Sequence, residues 1–201
     1  MPRAPGAPGA SDLIGLVGRK GSGKDTAAEG LLAQGWVRLA FATPLREVVK
    51  TLFLLSDADC DDRAHKEQPG PMGVSYRRGM QAVGTELIRD QLATVLPEVG
   101  EEGFWIQHMR RQIGIARERK ERVVITDVRF PDEAEAILAL GGKLILVMRP
   151  GLRTTDSHSS ETGVDEIAAT WAFPVLTNAR SKQSLRDDLC TLVGEVPSPS
   201  P

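Results

Sequence analysis

The sequence predicts an α/β fold in which about five parallel strands form one sheet with helices on both of its faces. Short apolar segments alternate along the chain with longer amphipathic ones, an order typical of strands joined by crossover helices. A turn rich in glycine joins the first apolar segment to the first helix. Ligands of such sheets bind beyond the carboxyl ends of the strands, so the loops at that edge are the first candidates for a site.

The boundaries of the elements follow from apolar runs, glycines and prolines. Strands are predicted at residues 13–17, 36–41, 122–126, 143–148 and 173–177. Helices are predicted between the glycine-rich turn and Gly35, at 44–53, 75–95, 104–118, 131–140 and 165–170, and from Ser181 onward. Residues 56–74 are polar and rich in turn-forming residues, which predicts a loop.

The bulk properties indicate one globular domain. The chain has 201 residues and a net charge of −2, so it lacks the overall basic field that gathers nucleic acid. No apolar run approaches the roughly 18 residues that a membrane span needs, and two cysteines far apart fit a reduced compartment. We expect a cytoplasmic protein with a domain at residues 11–194 and disordered tails at 1–10 and 195–201.

Residues 18–26, Gly-Arg-Lys-Gly-Ser-Gly-Lys-Asp-Thr, match the Gly-x-x-x-x-Gly-Lys core of a Walker A loop, with a predicted strand before it and a predicted helix after it. Backbone N–H groups of such a loop point at phosphate oxygens, and its lysine follows the β- and γ-phosphates into the transition state. The pattern therefore predicts a P-loop NTPase fold that binds ATP; the alternative is a glycine-rich turn without a ligand. The predicted ATP-binding residues are Gly18, Gly21, Ser22, Gly23, Lys24, Asp25 and Thr26.

A magnesium site is predicted beside this loop. Asp25 stands where Ser or Thr usually binds the metal, and Thr26 keeps a hydroxyl nearby. Asp127 follows the third predicted strand, where carboxylates orient magnesium in P-loop enzymes. Asp25, Thr26 and Asp127 are thus the predicted Mg2+ ligands, and Arg129, two residues after Asp127, is predicted to contact the transferred or the acceptor phosphate. The alternative for Asp127 is that it caps the next helix.

Several arginines are candidates for binding phosphate, because a guanidinium pairs phosphate oxygens in a two-pronged fashion. Arg77 and Arg78 open the helix predicted at 75–95, in which Gly79 and Gly84 lower helix stability and allow a close approach. Residues 149–163, which include Arg149, form a polar segment that predicts a mobile lid over the site. The alternatives are that Arg77 and Arg78 lie at an exposed helix end without a ligand, and that residues 149–163 form an ordinary surface loop.

The motifs together resemble those of the bacteriophage-type deoxynucleoside monophosphate kinases, a branch of the P-loop nucleoside monophosphate kinase group. The resemblance runs from about Leu13 to Leu189. It rests on GRKGSGKDT, ATPLRE, RRGMQAVGTELI, FW at 104–105, DVRFPDE and VMRPG followed by DSHSSE. Asn178-Ala-Arg stands where related kinases commonly carry Asn-Asp-Gly.

The resemblance implies roles for residues at matching positions. Lys20, Lys24, Asp127 and Arg129 would be catalytic, with Lys20 directed toward the acceptor phosphate. Arg149 and Asn178 would join the ATP-binding set. The acceptor-binding residues would be Lys20, Leu45, Arg46, Arg77, Arg78, Gly84, Trp105, Asp127, Arg129 and Glu133, most of them in helices at about 44–118.

The expected activity is in-line transfer of the γ-phosphoryl group of Mg·ATP to a deoxynucleoside monophosphate. Two alternatives stay open: a P-loop kinase for phosphomevalonate or dephospho-coenzyme A, and a nucleotide-binding sensor without catalysis. The expected partners are small nucleotides, with no nucleic acid and no membrane, and a homodimer stays open.

Overall fold

A computed structural model of the chain describes residues 11–61, 65–100, 102–152 and 159–194. These residues form two compact units. The sheet unit contains the described residues up to Ala40 together with those from Gln112 onward. The helical unit is Phe41–Arg111.

The sheet unit is built on a five-stranded parallel sheet, which confirms the predicted fold class. Its strands are β1 (Leu13–Val17), β2 (Trp36–Leu39), β3 (Arg122–Val128), β4 (Lys143–Met148) and β5 (Val175–Thr177). They lie in the order β2-β3-β1-β4-β5, so β1 is at the centre. All five residues of β1 are buried, as its apolar sequence predicts.

The α-helices follow in chain order. They are α1 (Lys24–Leu32), α2 (Ala42–Phe53), α3 (Asp57–Asp61), α4 (Tyr76–Gln81), α5 (Leu92–Val95), α6 (Phe104–Glu118), α7 (Pro131–Ala139), α8 (Ser159–Thr170) and α9 (Lys182–Val193). A π-helical segment, Ala82–Arg89, continues α4, and short 3-10 turns occupy His65–Glu67 and Pro97–Val99. Among the described residues, no helix has the length and apolar character needed to cross a bilayer.

Helices cover both faces of the sheet. The connection from β1 to β2 runs toward one edge through α1, whereas those from β3 to β4 and from β4 to β5 run toward the other through α7 and α8. Because parallel crossovers are right-handed, α1 lies on one face and α7 and α8 on the other. Helix α9 packs against α1, and Leu31, Leu185 and Leu189 form the core between them and the sheet.

Several boundaries differ from the sequence prediction. The helix predicted at 75–95 is instead α4, the π-helical segment and α5, and the loop predicted at 56–74 contains α3. Helix α8 begins at Ser159, so residues 159–163 of the predicted lid are helical, while residues 153–158 lie outside the described chain. Strand β3 extends to Val128 and therefore includes Asp127.

Candidate active site

The loop after β1 has a backbone that favours glycine at two positions of the Walker A pattern. Gly18 and Gly23 have φ angles of 155° and 107°, in the region that favours glycine. A Cβ atom on Gly18 would lie 2.5 Å from the carbonyl oxygen of Val147, and one on Gly23 would lie 2.5 Å from the amide nitrogen of Asn178. The loop is therefore packed against β4 and β5 and requires glycine at both positions.

Lys24 is the first residue of α1 and is 6% exposed. Its Nζ donates hydrogen bonds to the carbonyl oxygen of Gly18 and, at 3.0 Å, to that of Arg19. The Arg19 carbonyl also accepts from the backbone N–H of Ser22 at 3.1 Å. The ammonium group is thus fixed inside the loop at the positive end of the α1 dipole, where an anion is stabilised.

Ser22 provides a donor suited to a ligand. The residue is 1% exposed, and its Oγ has no hydrogen-bond partner among the described residues. A buried hydroxyl left without a partner costs about 1–3 kcal/mol. A phosphate oxygen in the loop would accept its hydrogen bond, so the loop fits the nucleotide that its sequence predicts.

Asn178, the residue after β5, contacts the loop directly. Its Nδ2 donates to the carbonyl oxygen of Ser22 at 2.9 Å, and its backbone N–H donates to Met148 at 2.7 Å. The structure thus places Asn178 beside the loop backbone, where its amide holds the carbonyl of a predicted ATP-binding residue.

Asp127 lies in an irregular part of β3. Gly15 of β1 pairs with Ile125 and Val17 pairs with Val128, so β3 has one extra residue beside the end of β1. Bulges of this kind redirect side chains next to active sites. This register places half-buried Asp127 beside Leu16 and Val17, the last two residues of β1 before the phosphate loop.

Glu133 has a structural contact at the start of α7. Its carboxylate accepts hydrogen bonds from the backbone N–H groups of Arg129, at 2.9 Å, and Phe130, at 3.2 Å. Glu133 is 3% exposed, and Pro131 opens the helix before it. The carboxylate therefore fixes the backbone that carries Arg129, two residues after Asp127.

The segment after β4 turns back toward the phosphate loop. The N–H of Leu152 donates to the carbonyl of Arg149 at 3.2 Å, closing a turn at the start of the predicted lid. A Cβ atom on Gly21 would lie 3.7 Å from Cδ1 of Leu152. The side chains of Arg149 and of Lys20 in the loop are exposed.

In the helical unit, the structure brings together Leu45, Gly84 and Trp105, three residues predicted to bind the acceptor. A Cβ atom on Gly84 would lie 2.4 Å from Cδ2 of Leu45. The indole N–H of Trp105 donates to the carbonyl of Gly84 at 2.9 Å, and Trp105 is 7% exposed. Gly84 lies in the π-helical segment, a geometry frequent at functional sites.

Of the four arginines predicted to bind the acceptor, the three in the helical unit each contact a carboxylate of that unit. Arg46 donates through both terminal nitrogens to Asp61, at 2.8 and 2.9 Å. Arg78 donates in the same way to Glu86, at 2.6 and 3.1 Å, and Arg77 pairs with Glu67. Two of these contacts have the two-pronged geometry that also suits phosphate.

Comparisons with known proteins decide the family. Residues 64–186 match the family described as "Deoxynucleotide monophosphate kinase". A protein of Acanthamoeba polyphaga mimivirus, named "Putative deoxynucleotide monophosphate kinase", is 41% identical over 162 residues, covering 77% of this chain and 83% of its own length. The chain belongs to the deoxynucleotide monophosphate kinase family. It is therefore a nucleotide kinase, a phosphotransferase, as the sequence motifs predict.

Two further matches bear on the family and its fold. "Uncharacterized protein ORF77" of Ictalurid herpesvirus 1 (strain Auburn) is 30% identical over 117 residues, or 53% of this kinase and 51% of the viral protein. The solved dephospho-CoA kinase of Campylobacter jejuni superposes with a TM-score of 0.51 at 13% identity, over 91% of this chain and 96% of that one. The structural likeness agrees with the predicted α/β P-loop NTPase fold.

The donors available for magnesium in this kinase are oxygen atoms. Asp25 is exposed at the start of α1, and its carboxylate lies 3.2 Å from Arg38 of β2. Among the described residues, no group of three or more acidic, histidine or cysteine side chains is arranged to hold a metal. Magnesium in phosphoryl-transfer sites binds one or two carboxylates together with substrate phosphates, so Asp25 and Asp127 suit it in number and chemistry.

Three polar residues in or next to the phosphate loop, Arg19, Arg38 and Asp165, were not among the site residues predicted from the sequence. Arg38 contacts Asp25, and Arg19 contacts Asp165 of α8. Arg19 lies within the Walker A pattern, but that pattern specifies only glycines and the lysine, so it gives no signal for the intervening residues. Asp165 is 146 residues from Arg19 along the chain, and a local pattern does not connect them.

Proposed function

We propose that this kinase transfers the γ-phosphoryl group of Mg·ATP to the phosphate of a deoxynucleoside monophosphate, which gives ADP and a deoxynucleoside diphosphate. The observation that carries the proposal is the position of Lys24 in a chain of this family. Its ammonium group is buried in a glycine-rich loop at the start of α1 and held by two backbone carbonyls of that loop.

ATP binds through its phosphates in this proposal. The loop N–H groups, the α1 dipole and Lys24 supply positive charge, and the buried hydroxyl of Ser22 supplies a donor. Gly18, Gly21 and Gly23 keep the backbone close to the phosphates. Thr26, half-buried in the first turn of α1, adds a second hydroxyl. Asn178 supports the loop from β5, through the carbonyl of Ser22.

Asp25, Thr26 and Asp127 are the proposed ligands of Mg2+. Bound there, the metal would neutralise charge on the β- and γ-phosphates. The bulge in β3 directs Asp127, and Glu133 fixes the following backbone. Arg38 holds the Asp25 carboxylate at 3.2 Å, so this arginine and the metal would share or exchange that carboxylate.

The acceptor monophosphate is recognised by the arginines of the helical unit. Arg46, Arg77 and Arg78 each pair with an exposed carboxylate, and a phosphate dianion carries more charge in a similar two-pronged geometry. The acceptor phosphate therefore joins or replaces these carboxylates at the guanidinium groups. Leu45, Gly84 and Trp105, which pack against one another in the same unit, are proposed to support the acceptor site.

The chemistry needs positioning and charge neutralisation rather than a general base. An oxygen of the acceptor phosphate, already anionic, forms a bond to the γ-phosphorus while the bond to the β-phosphate oxygen breaks in line. Lys20, Lys24, Arg129 and Arg149 are the cations proposed to balance the charge on the phosphoryl group in flight. The part of the predicted lid that precedes α8, residues 149–158, is proposed to close over the site and exclude water.

The test is release of ADP from Mg·ATP with each dNMP, the matching NMPs, phosphomevalonate and dephospho-coenzyme A offered separately. Turnover with one or more dNMPs is expected, and comparison with the NMPs gives the preference for deoxyribose. Turnover only with a non-nucleotide acceptor would contradict the proposed substrate class. Binding of ATP without turnover of any acceptor would indicate a sensor instead.

A further inference from the structure

We infer that Asp165 of α8 is a positioning residue for Lys24 and acts through Arg19 of the phosphate loop. The inference rests on the proposed role of that loop in binding ATP. It concerns a side chain far from the Walker A motif in sequence, one to which neither the motif nor the proposed mechanism gives a role.

Arg19 contacts Lys24 through its backbone carbonyl and Asp165 through its side chain. Its backbone carbonyl accepts a hydrogen bond from Nζ of Lys24 at 3.0 Å and another from the N–H of Ser22. Its guanidinium donates to both carboxylate oxygens of Asp165, at 2.7 Å to Oδ1. A change in the position of Arg19 therefore moves an oxygen that holds the Lys24 ammonium.

Helix α8 is fixed close to the backbone beside Asp127, so it can serve as a support. Gly163, two residues before Asp165, is buried, and a Cβ atom there would lie 2.3 Å from the carbonyl oxygen of Arg129. Only glycine permits this approach. The same helix thus contacts the phosphate loop through Asp165 and the β3–α7 connection through Gly163.

The expected effect is on ligand binding and rate more than on stability. The side chains of Arg19 and Asp165 are 35% and 60% exposed, and an exposed ion pair contributes about 1 kcal/mol or less to folding. A small displacement of the loop, however, misplaces a charge that acts on the transferred phosphoryl group. The pair should therefore alter kcat and ATP affinity in a protein that remains folded.

The first experiment compares Asp165→Asn with Asp188→Asn. Asp188 accepts a hydrogen bond from Arg180 at 2.6 Å and one from Ser184 at 3.3 Å, and neither donor is a residue of the phosphate loop, so the same Asp-to-Asn exchange there serves as the control. The measurements are Kd for a fluorescent ATP analogue, kcat, KM for ATP and the unfolding temperature. We expect Asp165→Asn to raise Kd about fivefold and to lower kcat, and Asp188→Asn to leave both near wild type.

A second set of variants tests the Arg19–Asp165 ion pair by reversing its charges and tests the position of α8 by a separate substitution. Arg19→Asp should weaken analogue binding, and Arg19→Asp combined with Asp165→Arg should restore part of it by rebuilding the pair in reverse. Gly163→Ala should also weaken binding, because α8 must move away from Arg129. Gly114→Ala in α6 is its control, since a Cβ there meets no atom within 4 Å.

The outcomes separate this inference from the proposed function, because analogue binding needs no acceptor. Failure of the wild-type chain to phosphorylate any dNMP would contradict the proposed function but leave the binding comparison valid. The inference would be overturned if Asp165→Asn and Asp188→Asn bound the analogue equally well. It would also be overturned if the reversed pair bound no better than Arg19→Asp, or if the wild-type chain did not bind the analogue.

Discussion

Lys24 is the residue on which the proposed chemistry of this kinase depends most. Its ammonium is held by loop carbonyls in a buried position, so the positive charge is placed before a nucleotide binds. A charge that is already oriented needs no reorganisation during the reaction, which is the main source of electrostatic catalysis. The hydroxyl of nearby Ser22 is buried and has no hydrogen-bond partner among the described residues, so it can donate to a phosphate oxygen of the same nucleotide.

Replacing Lys24 by alanine should therefore lower kcat by about a hundredfold or more, the scale of losing one preorganised electrostatic contact. Lys143→Ala, at an exposed position at the start of β4, is the matched control and should retain activity. Steady-state kinetics with a saturating acceptor measure the effect, and circular dichroism checks the fold. Near-normal turnover of a folded Lys24→Ala variant would refute the assignment of the loop.

Asn178→Asp should weaken ATP binding about tenfold. The substitution keeps the shape of the side chain but replaces the N–H donor with a carboxylate oxygen facing the carbonyl of Ser22, so a hydrogen bond becomes a repulsion. Titration with a fluorescent ATP analogue measures the change. Gln91→Glu, the same amide-to-acid exchange at an exposed site in the helical unit, is the control and should bind the analogue normally. Equal affinity of the two variants for the analogue would show that Asn178 does not support the loop.

At the residue scale, the sequence predicts the contacts that a local motif encodes. The Walker A spacing predicts a phosphate-binding role for Lys24, and the end of an apolar strand predicts a metal-binding role for Asp127; both roles stay predictions. It does not predict that Arg46 pairs with Asp61 or Arg19 with Asp165, because charged side chains select partners only after the backbone has folded. Asn178 was predicted to bind the nucleotide, and only the structure reveals its contact with the loop backbone.

At the scale of elements, close helix packing depends on glycine. Gly30 of α1 faces α9, and a Cβ atom there would lie 2.8 Å from the carbonyl of Arg186 and 3.0 Å from Sγ of Cys190. Gly84 gives the same kind of access to Leu45 in the helical unit. Helix propensity favours alanine over glycine by about 1 kcal/mol, so packing must explain glycine at these sites.

Gly30→Ala should accordingly destabilise the protein by about 1–3 kcal/mol, because the backbone of α9 has to shift. Gly114→Ala, in the open part of α6, should instead be neutral or stabilising by up to about 1 kcal/mol. Urea unfolding of both variants measures the difference. A Gly30→Ala variant as stable as Gly114→Ala would contradict the packing of α1 against α9.

The contact between α2 and α3 should depend on pH. The Arg46 guanidinium lowers the pKa of Asp61 in the folded chain through their two-pronged hydrogen bond. A carboxyl whose pKa is lower when folded adds stability that is complete above its unfolded pKa, about 3.9, and is lost as the pH falls through the folded value.

Wild type should therefore be more stable than Asp61→Asn at pH 6, and this advantage should shrink between pH 4 and about 2. Urea midpoints of both proteins across this range measure it. A stability difference that stayed constant down to pH 2 would show that the ion pair does not contribute in the folded state.

Element prediction succeeded where periodicity was simple and failed where packing overrides it. The strands β1 and β4 and helix α6 have the predicted bounds, because each is a continuous apolar or amphipathic run. The helix predicted at 75–95 is interrupted by the π-helical segment, in which Gly84 packs against Leu45. Tertiary contact, rather than local propensity, determines that backbone.

At the scale of the whole molecule, binding of the nucleotide should increase the thermal stability of the folded protein. A ligand that binds only the folded state stabilises it by about 2.7 kcal/mol at one hundred times its Kd. A non-hydrolysable ATP analogue with Mg2+ should therefore raise Tm by several degrees. EDTA should remove most of the increase if Asp25 and Asp127 hold the nucleotide through the metal, as proposed. The Lys24→Ala variant should respond less; an equal increase in both proteins would place the nucleotide elsewhere.

The two compact units differ in how far the sequence describes them. The sheet unit carries the Walker A pattern and alternating strands, both of which are local signals. The helical unit carries most of the predicted acceptor residues, and its contacts among short helices follow from side-chain packing that no simple period encodes. Base preference therefore has to be measured rather than deduced from these residues.

The most direct measurement is transfer of a labelled γ-phosphoryl group from Mg·ATP to each dNMP, with separation of the nucleotide products. Our account predicts labelled dNDP from the wild-type chain, with little label released as inorganic phosphate, and a loss of about a hundredfold or more with Lys24→Ala. Label appearing only as inorganic phosphate, or transfer unaffected by removal of Lys24, would contradict the account.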